Sequence, residues 1–179
     1  MKTKKSLNIT SKEIVYQNKW SLVTKTLFKK GSEIKEVFTT HYGKRSAVIL
    51  YHEDKVLLVK QFRLLIDNFS WEIPGGRAED SETFEQAASR ECEEETGYLC
   101  NSLLPLVKFE PGLETLSNST KIFVCKDFKK SRNLDSSEII ESSWFSIEEV
   151  RKLLLEGYFL DSLTIIGLQS LLLNQHNGE

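Results

Sequence analysis

The sequence predicts a mixed α/β (α+β) domain in which helices pack on a mostly antiparallel or mixed sheet. Two observations predict it. Short β-branched and aromatic runs recur along the chain, bounded by Gly, Pro, Asn and Asp. Among them lie a few longer segments with helical periodicity and recognisable ends. Strands interleaved with a few helices in this way suggest a layered α/β domain.

In chain order, residues 1 to about 15 read as a tail or a loosely attached arm. "KWSLVTKTLF", "KKGSE" and "IKEVFTTHY" read as a β-hairpin around a Gly-containing turn. Together these define an N-terminal region, 1–44, ahead of a main domain, 45–179. "SAVILY", "HEDK" and "VLLVKQF" read as a second hairpin with more buried strands, and "DNFSWEIPGGRAEDSE" as a long Gly/Pro/acid loop. Residues 82–96 carry a helical pattern that stops at Gly97, a natural residue just past a helix end. "LLPLVKFE" and "TKIFVCKDF" are strand-like and joined by "PGLETLSNS"; "IIESSWF" is a short strand. In "SIEEVRKLLLEG", Ser146 with Glu149 forms a capping-box signature. A last helix is expected over about 161–174.

The 179 residues suffice for one domain with a sizeable core. With 40% hydrophobic and 28% charged residues, the profile is that of a soluble globular protein. A formal net charge of -2 supplies no field toward nucleic acid or a membrane surface. No run approaches the roughly 18 apolar residues of a membrane span, and "MKTKKSLNITSKEIVYQ" lacks the apolar core of a signal peptide. Cys92, Cys100 and Cys125 are odd in number and without paired spacing, which argues against a disulfide framework or a zinc site. A cytoplasmic setting is therefore expected.

The informative stretch is "RECEEETG", with Glu91, Glu93, Glu94 and Glu95 in five consecutive positions. An acidic run is commonly a solvated helix face. Its angular placement here points elsewhere. With Phe84 at zero and roughly 100° per residue, Ala87 and Ala88 fall on the core-facing stripe, and Glu91, Glu94 and Glu95 continue it at about -20°, -80° and +20°. Glu93 lies on the opposite side, as an ordinary solvated acid. Unpaired carboxylates turned inward would carry a large desolvation cost, which a divalent cation removes. An all-oxygen donor set suits Mg²⁺ or Mn²⁺. Arg90 lies near Glu94 on the wheel and can hold its carboxylate. Gly75 and Gly76 in "PGGRAED" let the backbone approach a ligand closely, and the Gly75 carbonyl could complete a metal shell.

The full spacing is Gly76, five residues, Glu82, seven residues, then Arg90-Glu91-Cys92-Glu93-Glu94-Glu95-Thr96-Gly97-Tyr98. This resembles the Nudix hydrolases, whose box is Gly, five residues, Glu, seven residues, Arg-Glu-U-x-Glu-Glu-x-Gly-U with U usually aliphatic. Every fixed position matches; Cys92 and Tyr98 stand at the U positions. The resemblance implies a mixed sheet between helices and Mg²⁺-dependent cleavage of a nucleoside diphosphate linked to another group. The flanks "VLLVKQFR", "WEIPGGRAED", "EPGLETLSNSTKIFVC" and "EIIESSWFSIEEVRKLLLEGYFLDSLTIIGLQ" are similar to the ADP-ribose and nucleotide-sugar pyrophosphatase branch. "PGLETLSNST" carries extra residues relative to the shorter loop expected there.

From that resemblance, Glu91 and Glu95, then Glu94, with the Gly75 carbonyl, are expected to hold the metal. Glu138, Glu94 and Arg90 are expected in catalysis, with Glu138 or, less favoured, Glu141 deprotonating water or holding a further metal. Glu82 is expected to orient Arg90. Arg63, and similarly Arg45, are candidates to bind phosphate oxygens. Trp20 is a candidate to stack on a base, whereas Trp71, Trp144 and Cys92 are expected to pack the core. A nucleoside diphosphate sugar is the expected substrate and a homodimer through the N-terminal region the expected assembly. The rival readings are another nucleoside diphosphate substrate, such as GDP-mannose, UDP-glucose or a dinucleoside polyphosphate, and a non-catalytic ADP-ribose-sensing module.

Overall fold

Two runs in which nearly every residue is apolar, "AVIL" and "VLLV", mark strands with both faces covered. The computed structural model, which describes residues 8–131 and 139–175, builds its main unit around them. That unit spans 45–109 and 120–179. Strands β4 (Arg45–His52) and β5 (Lys55–Arg63) start as a hairpin, pairing at Tyr51 with Val56 and His52 with Lys55. They then diverge. β5 pairs with β6 (Asn68–Glu72) on one side and β13 (Ile139–Ser146) on the other. β4 pairs with β7 (Gly75–Arg77) and, in parallel, with β11 (Thr120–Cys125), which continues antiparallel to β9 (Leu104–Phe109). The sheet is therefore mixed.

Period-two alternation assigns the two faces. Ala47, Ile49, Val56, Leu58, Ile122 and Val124 point to one side, where they meet Val150 of α2 (Ile147–Leu155) and Leu163, Leu168 and Leu171 of α3 (Ser162–Gln175). Val48, Leu50, Leu57, Phe123 and Cys125 point to the other side and meet Ala88 and Cys92 of α1 (Phe84–Thr96). The sheet is thus sandwiched between helices. Trp71 packs against the first core and Trp144 against the second, and Cys92 is fully buried, all as expected. A small two-stranded ladder joins β8 (Tyr98–Cys100) to β12 (Phe128–Lys130).

The other unit comprises 1–44 and 110–119. Its described sheet has the order β1 (Asn8–Gln17), β2 (Leu22–Lys30), β3 (Glu33–His41) and β10 (Leu116–Ser117). β2 and β3 form the expected hairpin, turning at Gly31 with φ 67°. The expected N-terminal arm is corrected: Asn8–Gln17 is a strand antiparallel to β2. All its residues are exposed, so ladder hydrogen bonds hold it and burial leaves no alternating pattern to read. The expected loop over 67–82 is corrected in part, since β6 and β7 lie within it. "PGLETLSNS" contains β10, which pairs in parallel with Thr40 and His41 of β3.

Candidate active site

Helix α1 begins at a reciprocal cap. The Thr83 hydroxyl accepts from Gln86 N at 3.2 Å, and the Gln86 side chain accepts from Thr83 N at 2.9 Å. It ends at Gly97, whose φ of 69° is left-handed and whose N–H donates to Glu93 O at 2.9 Å. The Ser46 hydroxyl, buried at the start of β4, donates to Phe84 O at 2.7 Å and ties the first turn to the sheet. These contacts set the angle at which the acidic end of α1 meets the strands.

Arg90 is the hub of that end. Its Nε and Nη2 donate to the two Glu82 oxygens at 2.9 and 3.1 Å, and Nη2 also to Arg77 O at 3.0 Å. Nη1 lies 2.9 Å from both Glu94 Oε2 and Glu91 Oε1. These contacts match the five N–H donors of a guanidinium, a pattern the three-donor lysine ammonium cannot reproduce. Glu82, and then Glu91 and Glu94, raise the Arg90 pKa, while Arg90 holds the Glu82 carboxyl below its usual range.

Glu95 faces the sheet. Its Oε1 accepts from Gln61 Nε2 at 2.8 Å and its Oε2 from Gly75 N at 2.9 Å. Burial pushes its carboxyl up to about 8 against those two bonds, and the nearby Glu91 charge adds to the rise. Burial also raises Glu91, opposed by Arg90. The glycines are required by close approach. A Cβ at Gly76 would lie 2.5 Å from Glu91 Oε1, and one at Gly75 would lie 2.5 Å from Ser46 O and Ala47 Cβ.

Across the cleft, Arg63 at the end of β5 donates from Nε to Glu72 Oε1 at 2.8 Å, and its Nη2 bonds the other oxygen. Glu72 is 3% exposed, so this fork fixes the guanidinium plane and raises its pKa, leaving three N–H donors uncommitted to Glu72. Arg45 Nη1 lies 4.0 Å from Asp161 Oδ1. Arg45, Arg63, Gly75, Arg90, Glu91, Glu94 and Glu95 all line one polar cleft of about 400 Å³.

Most of the sequence-derived candidates therefore line one cleft, with five qualifications. Glu94 is the most exposed of the three inward acids, its side chain 44% accessible against 15% for Glu91. Glu93, expected to be a solvated acid, is half-buried and accepts from the Ser131 hydroxyl. Trp20 belongs to the other unit, 61% exposed with Lys19 Nζ 4.3 Å from its ring centroid. Glu138 lies outside the described residues. Glu141 is half-exposed and paired with Lys60 at 3.4 Å. Gln61, Glu72 and Asp161 escaped the sequence reading. The signal available for Gln61 and Glu72 was a polar residue inside an otherwise apolar run, "VLLVKQF" and "WEI".

The side chains on this wall suit a hard divalent cation, since they offer carboxylate oxygens with no thiol or imidazole among them. Among the described residues no three acidic, His or Cys side chains converge closely enough to enclose an ion unaided. Glu91 and Glu94 are turned onto Arg90, and Glu95 onto Gln61 and Gly75. Burial raises two of these carboxyls, Glu91 and Glu95, on one wall of the cleft.

Comparison with known proteins gives the family. Residues 41–162 match the NUDIX domain. The chain is 29% identical over 148 residues to an ADP-ribose pyrophosphatase of Bacillus subtilis, covering 81% of this chain and 80% of that protein. The same figures relate it to a methanol dehydrogenase activator of Bacillus methanolicus: 29% over 148 residues, 81% and 80%. In fold it resembles an ADP compounds hydrolase of known crystal structure, with a TM-score of 0.84 over 99% of both chains at 17% identity. With the match spanning most of its length and box residues gathered on one cleft, the chain belongs to the Nudix hydrolase family and resembles its ADP-ribose pyrophosphatase branch.

Proposed function

We propose that the protein is a Mg²⁺- or Mn²⁺-dependent pyrophosphatase that hydrolyses ADP-ribose, or a related nucleoside diphosphate sugar, to a nucleoside monophosphate and a sugar phosphate. The observation that carries this reading is the cleft itself. Buried-side carboxylates, Glu91 and Glu95, stand under the Gly75–Gly76 segment, and two guanidiniums, Arg45 and Arg63, line the same cleft. Family members generally use divalent metal ions. Here Glu91, Glu94, Glu95 and the Gly75 carbonyl would hold them. Such a cation, when bound, neutralises diphosphate charge and makes a water more acidic.

The remaining work falls to the chain. Arg63, its plane fixed by Glu72, presents its remaining donors to phosphate oxygens and stabilises charge on the transferring phosphoryl group. Arg45 adds a second cation. Arg90 keeps Glu91 and Glu94 on the cleft wall. By the family resemblance, Glu138 takes the proton from the attacking water. Trp20, 61% exposed, remains the candidate by resemblance to stack on a base. A homodimer through the N-terminal unit is supported by exposed Ile9, Ile14, Val15 and Tyr16 on β1 and Phe38 on β3. A cytoplasmic setting is supported by three free cysteines. Among the described residues no helix is long and apolar enough to cross a membrane.

The test is a panel of ADP-ribose, GDP-mannose, UDP-glucose and dinucleoside polyphosphates with Mg²⁺ or Mn²⁺, following the monophosphate and sugar phosphate released. Turnover of ADP-ribose to AMP and ribose 5-phosphate, abolished by chelation and by Glu95→Gln, is expected. Binding of ADP-ribose without turnover would replace the enzyme reading with the sensor.

A further inference from the structure

Where the chain changes from one ladder to another, a backbone donor is left over. β6 pairs with β5 as far as Glu72, and β7 pairs with β4 from Gly75 onward. Ile73 lies between them, 3% exposed, and its N–H donates to the Thr164 hydroxyl of α3 at 3.1 Å. A buried N–H without an acceptor is rare and costly, so this bond is a requirement of the strand switch. A hydroxyl can donate or accept, and its direction has to be set. Asp161 sets it: Oδ2 accepts both Thr164 N–H and Thr164 O–H, each at 2.8 Å. With its hydrogen committed to the carboxylate, the fully buried Thr164 oxygen presents a lone pair to Ile73. The second oxygen of Asp161 faces Arg45.

We propose that Thr164 is a positioning residue for the cation wall of the cleft, and that Asp161 directs both its hydroxyl and Arg45. The inference rests on the reading of Gly75 and Glu95 as cation ligands. Pro74 has no N–H of its own, so beside the β4–β7 ladder three further bonds locate the segment that carries Gly75: Ile73 N–H to Thr164, Val48 N–H to Pro74 O at 3.0 Å, and Gly75 N–H to Glu95. Gly76 has no slack, because Glu91 fills the space its side chain would need. A displacement at Ile73 is therefore passed to both carboxylates. The helix that supplies the hydroxyl lies far along the chain from the acidic box, yet it fixes the box's partner loop.

The test compares wild type with Thr164→Val, which keeps the shape and loses the acceptor, and Thr164→Ser, which keeps the hydroxyl. Mn²⁺ binding is measured by electron paramagnetic resonance well below the melting temperature. Exchange of the Gly75 amide is followed by NMR in chelated protein. Thr164→Val is expected to weaken Mn²⁺ binding about tenfold and to speed Gly75 exchange, with Thr164→Ser within about twofold of wild type, as for groups that support metal ligands. Wild-type Mn²⁺ affinity in Thr164→Val would overturn the inference, even if that variant melted earlier. Should Thr164→Val not fold, Asp161→Asn decides: weaker Mn²⁺ binding supports the inference and unchanged binding overturns it. A wild type that binds no Mn²⁺ sinks the cation reading and this inference with it, whereas a Thr164→Val that binds like wild type sinks this inference alone.

Discussion

In protein stripped of divalent ions, Glu95 should make stability fall as pH rises, and Glu95→Gln should remove that fall. Burial raises its folded-state pKa from 4.5 to about 8. A raised carboxyl contributes stability that is fully present below the unfolded pKa and lost as pH climbs through the folded one. Between those limits the folded state holds one proton that the unfolded chain has released, so stability drops by about 1.4 kcal/mol per pH unit. From pH 5.5 to 7.5 the loss is about 2.5 kcal/mol, or roughly 5–10 °C in Tm for a chain of this size. The amide introduced by Glu95→Gln would keep a carbonyl acceptor for Gly75 N–H, and the Gln61 amide can turn to pair with its NH₂. Thermal scans in a chelating buffer should therefore show the gap between Glu95→Gln and wild type widening by that amount across the range. Other titrating groups are common to both proteins and, apart from Glu91, whose charge acts on Glu95, largely cancel in the difference. Added Mg²⁺ should raise the wild-type Tm more at pH 7.5 than at 5.5, because the cation favours the ionised carboxylate. Parallel wild-type and Glu95→Gln curves would refute the argument.

Three further outcomes follow from the same contacts. Arg90→Lys should raise the Mn²⁺ concentration for half-maximal rate by about 10–100-fold, because a lysine cannot hold Glu82, Glu91, Glu94 and Arg77 O together; an unchanged metal requirement would remove Arg90 from its role. Gly76→Ala should lower kcat about 100-fold with the fold intact by circular dichroism, since its Cβ displaces the Glu91 carboxylate. Glu72→Gln should raise KM for the diphosphate and lower stability by about 1–2 kcal/mol in urea unfolding, because it replaces the charged partner of Arg63 with an amide that keeps one acceptor.

Much of the fold was legible because burial writes a pattern. β4, β5 and β11 alternate between two covered faces, and such runs are apolar throughout. The caps at Ser146 and Gly97 are local signals and stand where the sequence put them. What escaped was structure held by pairing rather than by burial. β1 is exposed along its whole length, and β7 follows a Pro in a Gly-rich stretch that reads as a turn. β10 is two residues long and pairs with a strand some seventy positions away in parallel register. None of these leaves a periodic trace in a window of one chain segment.

The candidate site divides along the same line. Glu91, Glu94, Glu95 and Arg90 share one helix, where an angle of about 100° per residue is enough to set their common side. Gly75 and Gly76 stand beside them because the backbone of β4 and the Glu91 carboxylate leave no room for a Cβ, which is a tertiary fact. Gln61, Glu72, Asp161 and Thr164 act through partners on other elements, and no spacing rule joins them. They do share a trace: Gln61, Glu72 and Thr164 are buried polar residues set among apolar neighbours. A buried donor or acceptor needs a partner, so each such residue in an apolar run is a question about a contact elsewhere in the chain. At Ile73 the need runs in the opposite direction. The strand switch creates an unpaired backbone donor, and only a polar side chain on another element can accept from it. The groups that position the cleft therefore lie where one ladder ends and another begins, which is where the sequence has the least periodicity to offer.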